Sequence, residues 1–229
     1  MPEQPGPLVG RGRAADVYDL GGGRVLRRYR VAPAPGAVQQ EAAVMGHLQS
    51  HGFPVPAVHE ADGSDVVMDR LDGVTMLSEL ESRPWRLWQH ADTWARLHTE
   101  LAAIPVGGLA GILPACFGEP DAVLHLDFHP DNIMMTAGGP VVFDWTNAAL
   151  GPSAADVAQS WIVSATSTVD GGLLRRLAVN AFRDRLIGRF VDRCGRESAA
   201  ALLPAVGEAR LLDPNVRPEE ATRIRALIS

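Results

Sequence analysis

The sequence predicts an α+β fold in two unequal parts, and three observations carry that reading. The first third runs in short apolar and alternating stretches separated by glycine and proline, as strands and turns do. From about Met76 onward, apolar residues recur at helical spacing. The densest polar cluster, His125 to Asn132, lies between two apolar strand-like pieces. With 229 residues, 46% hydrophobic and 21% charged, the chain has the length and composition of one folded domain or a closely joined pair of lobes.

Each element has a local reason. Leu8-Val9-Gly10 leads into a glycine-containing loop, and Ala15 to Leu20 alternates like a strand. Gly21-Gly22-Gly23 is a turn, and Arg24 to Arg30 reads as the return strand of a hairpin. After the Pro/Ala/Gly stretch Ala32 to Gly36, the spacing predicts a helix over Ala37 to Ser50 with Val38, Met45 and Leu48 on one face. Glu41 falls on that apolar face. Strands follow at Ala57 to Glu60 and Asp65 to Asp69 around the turn Asp62-Gly63, and Leu71-Asp72-Gly73 reads as a connector. Pro84 opens an amphipathic stretch to Ile104 with the stripe Leu87, Trp94, Leu97, Leu101 and Ile104. A Gly/Pro-rich loop spans Pro105 to Pro120; strands are expected at Ala122 to Leu126 and Val141 to Asp144. Helices are expected at Ser153 to Ala165, Gly172 to Cys194, Glu197 to Leu212 and from Pro218.

Composition excludes several functions. A net charge of −6 argues against a nucleic-acid partner, which needs a basic surface, yet is compatible with a cationic small molecule. No apolar run has the length of a membrane span, and Met1 to Pro5 lacks the features of a signal peptide, so no membrane partner and a cytoplasmic location are expected. Cys116 and Cys194 fit neither a disulfide framework nor a zinc spacing and read as buried small hydrophobes. All 21 basic side chains are arginine, so a lysine-dependent mechanism is excluded.

The chemistry concentrates in His125-Leu126-Asp127-Phe128-His129-Pro130-Asp131-Asn132 and in Val141-Val142-Phe143-Asp144-Trp145. Asp127 and Asn132 share a loop and Asp144 ends the next strand, so three oxygen-bearing side chains can converge. Mg²⁺ takes such ligands and completes its shell with water and phosphates, and a carboxylate free of metal can accept a proton from an attacking hydroxyl. A lone aspartate here would more often be a turn former; the combination is what points to a site.

The pattern H-x-D-x-x-x-x-N, followed by an apolar strand ending in Asp, resembles the catalytic and metal-binding segments of the aminoglycoside phosphotransferase and choline kinase-like family, relatives of protein kinases. Gly10-x-Gly12-x-x-Ala15-x-Val17 is similar to the kinase glycine-rich loop; a strand and hairpin follow it, unlike a dinucleotide-binding turn, which opens a helix. The resemblance implies a bilobal protein-kinase-like fold, with a small β-sheet N-lobe over 1–70 and a mainly helical C-lobe over 71–229. It implies an ATP-dependent kinase with Mg²⁺ that phosphorylates a hydroxyl of an aminoglycoside-like or other small polar acceptor; it sets no oligomeric state.

By the same resemblance Asp127 is the catalytic base or hydroxyl-orienting residue, and Asn132 and Asp144 are the metal ligands. Gly10, Gly12, Val17, Val25, Met68, Asp69 and Leu71 belong to the nucleotide site, the last three at the hinge. The strand that carries the kinase lysine offers Arg27, with Arg28 as the alternative, and Glu41 is its partner, because a carboxylate on an apolar helix face is costly unless paired. His125 would brace the loop, and Asp156 would support it from the following helix. The family usually has glycine at the position of Leu126.

Other readings draw on the same residues. A kinase fold that binds nucleotide or a partner without turnover is the alternative raised by the missing lysine. His125, Asp127 and His129 also form H-x-D-x-H, a hydrolase-like metal pattern, but Pro130 and Asn132 favour a loop. Trp88 and Trp94 lie on different helix faces and cannot readily close a cation cage, so Trp94 reads as core, with Trp85 and Trp88 covering the helix start. Glu208, Asp213, Glu219 and Glu220 read as solvated charges.

Overall fold

A computed structural model of the protein describes residues 5–12, 14–167 and 173–229. The first third forms a five-stranded antiparallel sheet of β1 (Leu8–Arg11), β2 (Ala15–Gly21), β3 (Arg24–Tyr29), β4 (Val58–Asp62) and β5 (Asp65–Asp69). Their spatial order is β1-β2-β3-β5-β4. The β2–β3 turn passes through Gly21, Gly22 and Gly23 at φ 74°, 58° and 75°, a left-handed run that a side chain would strain. The glycine loop is the β1–β2 turn, closed by the Gly12 N–H donating to the Ala15 carbonyl at 2.8 Å.

Register decides what the sheet presents. Val17 lies opposite Arg27, Val25 opposite Met68, and Arg27 opposite Val66, so these side chains share one face. Helix α1 (Ala37–Ser50) packs against β4 and β5 and buries Val38, Glu41, Val44, Met45 and Leu48. Glu41 is therefore buried charge on an otherwise apolar stripe.

The chain then crosses through β6 (Gly73–Thr75) into α2 (Met76–Ser82), a 3₁₀ turn Pro84–Arg86 and α3 (Leu87–Ala102). The Thr75 hydroxyl caps α2 by accepting the Ser78 N–H at 3.2 Å and donates to Asp131 at 2.8 Å. The expected stripe Leu87, Trp94, Leu97, Leu101 and Ile104 is buried. Beyond it come β7 (Ala122–Leu124), β8 (Ile133–Thr136), β9 (Gly139–Val142), β10 (Ala149–Gly151), α4 (Ser153–Thr166), α5 (Leu173–Cys194), α6 (Arg196–Leu211) and α7 (Pro218–Ile228). Helix α3 packs on α5, α4 packs on α5 and α6, and one apolar cluster runs from Val25 in the sheet to Ile224 in α7. The fold is α+β and protein-kinase-like: an antiparallel sheet region joined to a helical part.

Several local expectations are corrected. The two strands around the polar cluster end earlier, at Leu124 and Val142, because positive φ at Leu126 and Asp144 breaks extended backbone. The three-residue strands β6 and β10 escaped the sequence pattern, being too short for alternation to register. The expected helix start at Gly172 lies outside the described residues. Cys116 and Cys194 are partly exposed, not buried. Trp85 is 75% exposed and Trp88 51%, so neither covers a helix start; Trp88 instead stacks on Arg189 at 5.5 Å. Asp213 and Glu220 pair with Arg210 at 3.0 and 3.2 Å and are not simply solvated.

Candidate active site

The segment from His125 to Asn132 leaves β7, turns at Leu126 with φ 60° and closes in a 3₁₀ turn Pro130–Asn132. A leucine in left-handed backbone costs about 1–3 kcal/mol and needs surrounding structure to hold it. Asp156 of α4 does so: its Oδ1 accepts the N–H of His125 at 3.0 Å and of Leu126 at 2.7 Å. Asp156 is fully enclosed, and burial pushes its carboxyl up to about 7 against the pull of the two amides. Its Oδ2 has no hydrogen-bond partner and lies 3.6 Å from His98 Nδ1. Burial drives His98 down to about 3, so its ring is neutral.

His125 braces the loop from within. Its Nδ1 accepts the Asp127 N–H at 3.3 Å, which makes Nε2 the donor to the Phe143 carbonyl at 3.0 Å. The Asn132 amide donates to the Asp127 carbonyl at 2.9 Å and to its carboxylate at 3.3 Å. His129 Nε2 lies 3.5 Å from Asp127 Oδ1. Burial raises the Asp127 carboxyl, but His129, His125 and Arg210 more than offset it and hold the group below its usual range. Asp127 is thus an ionised acceptor at neutral pH.

The Phe143 N–H donates to the Asn132 carbonyl at 3.1 Å, which sets Asp144 beside this loop. Asp144 stands just past β9 at φ 68°, and its Oδ1 accepts from Arg27 at 2.8 Å and from the Thr146 hydroxyl at 2.9 Å. The other end of the Arg27 guanidinium donates to Glu41 Oε1 at 2.5 Å, while the Tyr29 hydroxyl donates to Glu41 Oε2 at 2.8 Å. Burial lowers the Arg27 pKa, but Glu41 and Asp144 more than offset it and raise the value above normal. Burial raises the Glu41 carboxyl against the pull of Arg27 and Tyr29. Arg28 points elsewhere and forks onto Asp65 at 2.8 and 2.7 Å.

The remaining expected residues spread along the sheet. Gly10 and Gly12 flank the β1–β2 turn, Val17 is half-buried, and Val25 and Met68 are buried on the face that carries Arg27. The Asp69 N–H donates to the Ala57 carbonyl at 2.9 Å, and its carboxylate accepts the Ala57 N–H at 3.3 Å and contacts His59 at 2.8 Å. The Arg70 N–H donates to the Gly23 carbonyl at 2.8 Å. The N–H and carboxylate of Asp69 are therefore engaged within the sheet, and Leu71 is the next residue of the expected hinge.

Among the described residues no group of three or more His, Cys, Asp or Glu side chains is gathered for a metal ion. Asn132 Oδ1 and Asp144 Oδ2 are the oxygens left over by the bonds above. One amide and one carboxylate oxygen fit Mg²⁺, which binds few protein ligands and completes its octahedron with water and substrate phosphates.

Sequence reasoning missed three residues here. Tyr29 is two positions from Arg27, so strand alternation could have put it beside Glu41. Thr146 follows Asp144 closely enough to bond its carboxylate. Arg210, brought in by the packing of α6 on α4, left no local signal.

Comparison with known proteins places the chain in a family. The model of the phosphotransferase enzyme family matches residues 7–105 and 69–193. The chain belongs to that family. No curated protein matches. Among solved structures, this family member is similar to aminoglycoside phosphotransferase APH(4)-Ia at TM-score 0.66 and 18% identity, over 97% of this chain and 90% of that one. A thermostable mutant of that protein, in a ternary complex with AMP-PNP and hygromycin B, aligns at TM-score 0.65 and 17% identity over 97% and 90%. A choline/ethanolamine kinase family protein from Mesorhizobium loti aligns at TM-score 0.54 and 15% identity over 98% and 88%. Among the described residues no helix is long and apolar enough to cross a membrane.

Proposed function

We propose that this phosphotransferase-family chain transfers the γ-phosphoryl group of ATP, with Mg²⁺, to a hydroxyl of a small polar acceptor in the cytoplasm. The observation that carries the reading is that the segments bearing Asp127, Asn132 and Asp144 are bonded to one another, with Arg27 of the sheet bonded to Asp144. A nucleotide-holding lobe to residue 70 and an acceptor-side lobe over 71–229 belong to the same proposal.

In this reading adenine lies against Val17, Val25 and Met68, and the Leu71 N–H meets its edge, since the amides of Asp69 and Arg70 are committed to Ala57 and Gly23. Gly10 and Gly12 let the backbone approach the phosphates. Arg27, oriented by Glu41, meets phosphate oxygens. Asp127 accepts the acceptor's hydroxyl proton, and Asn132 and Asp144 hold Mg²⁺, which when bound neutralises phosphate charge. Because the transition state is loose, positioning and charge neutralisation are most of the catalysis. The neighbour held with AMP-PNP and hygromycin B supports an ATP donor and an aminoglycoside-like or other small acceptor, and the net charge of −6 suits a cationic one.

The test is Asp127→Asn. Phosphoryl transfer, followed as ADP release across a panel of hydroxylated amines and sugars, should fall by about 10²–10⁴-fold, the range for losing a general base. Nucleotide affinity measured by calorimetry should hold. Nucleotide binding without turnover in the unmodified chain would favour the non-catalytic alternative instead.

A further inference from the structure

We propose that Arg27 is the resident counter-cation of Asp144, so that the site takes up a divalent cation only together with the nucleotide. The inference rests on the phosphotransfer reading above and concerns how that site is loaded.

Asp144 and Glu41 lie on different parts of the fold, and Arg27 joins them: one terminal nitrogen reaches Glu41 Oε1 at 2.5 Å, the other Asp144 Oδ1 at 2.8 Å. The contact to Asp144 spans 117 residues of sequence and ties the sheet to the segment after β9. The Arg27 side chain is 13% exposed, Glu41 2% and Asp144 38%, so water weakens the contact to Glu41 little and the contact to Asp144 more. Its guanidinium also stands 5.0 Å over the Tyr29 ring, and Tyr29 in turn fixes Glu41. Asp144 Oδ1 accepts a second donor from Thr146 at 2.9 Å.

The planar fork is what makes this arrangement work. Two separate nitrogens serve two carboxylates at once, whereas a lysine ammonium is a single point that would have to approach both. A divalent ion arriving alone therefore meets a carboxylate with one oxygen already held by Arg27, a cation it shares with Glu41. A nucleotide changes that balance, because its phosphates add negative charge and the guanidinium has five N–H donors to share. Arg27 can then turn donors to phosphate, and Asp144 becomes available to the cation. Arginine in place of lysine thus couples metal entry to nucleotide entry.

The experiment titrates Mn²⁺ into nucleotide-free protein and reads free Mn²⁺ by electron paramagnetic resonance. It compares the unmodified chain with Arg27→Gln, Arg27→Lys and the double variant Arg27→Gln/Asp144→Asn. Mg²⁺ with a non-hydrolysable ATP analogue is titrated separately by calorimetry. The expected result is weak Mn²⁺ uptake by the unmodified chain, affinity roughly tenfold higher in Arg27→Gln, the scale of one charge-assisted hydrogen bond, and loss of that gain in the double variant. Equal Mn²⁺ affinity in the unmodified chain and Arg27→Gln would overturn the proposal while the calorimetry left the phosphotransfer reading standing. Failure of every variant and the unmodified chain to bind Mg²⁺ with the analogue would overturn both. If circular dichroism shows Arg27→Gln unfolded, Arg27→Lys decides: a smaller gain in Mn²⁺ affinity supports the proposal, and no gain overturns it.

Discussion

The loop carrying Asp127 and the segment carrying Asp144 each pass through one non-glycine residue at positive φ, Leu126 at 60° and Asp144 at 68°, but different forces hold them. The Asp127 loop is fixed from beneath by neutral and nearly neutral groups: two backbone amides on one buried carboxyl, a neutral His125 and a stacked His98–Phe128 pair 4.2 Å apart. The Asp144 segment is fixed from the sheet by charge, through Arg27. Asp156 is 3% exposed at its side chain and Asp144 38%. The enclosed carboxylate keeps geometry, and the open one is left able to exchange partners. The proposed phosphotransfer would use both, a base that does not move and a ligand that can.

The sharpest way to break this comparison is to remove Asp156. Asp156→Ala leaves two loop amides without their acceptor and should cost about 2–6 kcal/mol in chemical denaturation, from roughly 1–3 kcal/mol per orphaned buried group. Asp156→Asn keeps an acceptor oxygen and should cost much less. It also isolates a pH dependence. A carboxyl raised from 3.8 to about 7 is protonated in the folded state where the unfolded chain is ionised, so its contribution is full below about pH 4 and is lost as pH rises through 7. His98, held down at about 3, acts with the opposite sign and loses stability as pH falls below 6.5. The difference in melting temperature between Asp156→Asn and the unmodified chain cancels the His98 part. That difference should move in favour of the variant from pH 5 to pH 8, and a constant difference would show that Asp156 is ionised throughout.

On the other side of the comparison, Tyr29→Phe removes one of the two bonds to Glu41 without touching Arg27. It should cost about 0.5–1.5 kcal/mol, the net value of one hydrogen bond. If the Asp144 segment is held by charge, nucleotide affinity should change little, because Arg27 still joins both carboxylates. A loss of affinity as large as that of Arg27→Gln would show that Tyr29, not the ion pair, sets the geometry.

What the sequence discloses follows the same division. The hairpin, α1, β5 and the α3 stripe are local patterns of apolar spacing, and the motif around Asp127 is contiguous, so both are legible. Arg27 and Glu41 can be paired from the sequence because the family resemblance puts a cation at that strand position and a carboxylate on an apolar helix face needs a partner. The Arg27–Asp144 contact is not legible, since 117 residues separate the partners and neither is unusual for the other. Nor is Arg210, whose influence on Asp127 depends on how α6 packs on α4. Strands β6 and β10 escape because pairing, not alternation, defines them.

The smallest expected effect sharpens the comparison most finely. Leu126→Gly relieves a left-handed backbone that costs leucine about 1–3 kcal/mol. It also removes a partly buried side chain that packs on the core, and it frees the unfolded chain by about 0.5–1 kcal/mol. These terms oppose one another, so the unfolding free energy should change by less than about 1 kcal/mol in either direction. Hydrogen exchange of the Leu126 amide separates strain from support. If Asp156 dictates the turn, that amide stays protected in Leu126→Gly, because its acceptor at 2.7 Å is unchanged. Rapid exchange in the glycine variant would mean that the leucine side chain, wedged against the core, had been holding the loop and that the Asp156 bonds follow from it.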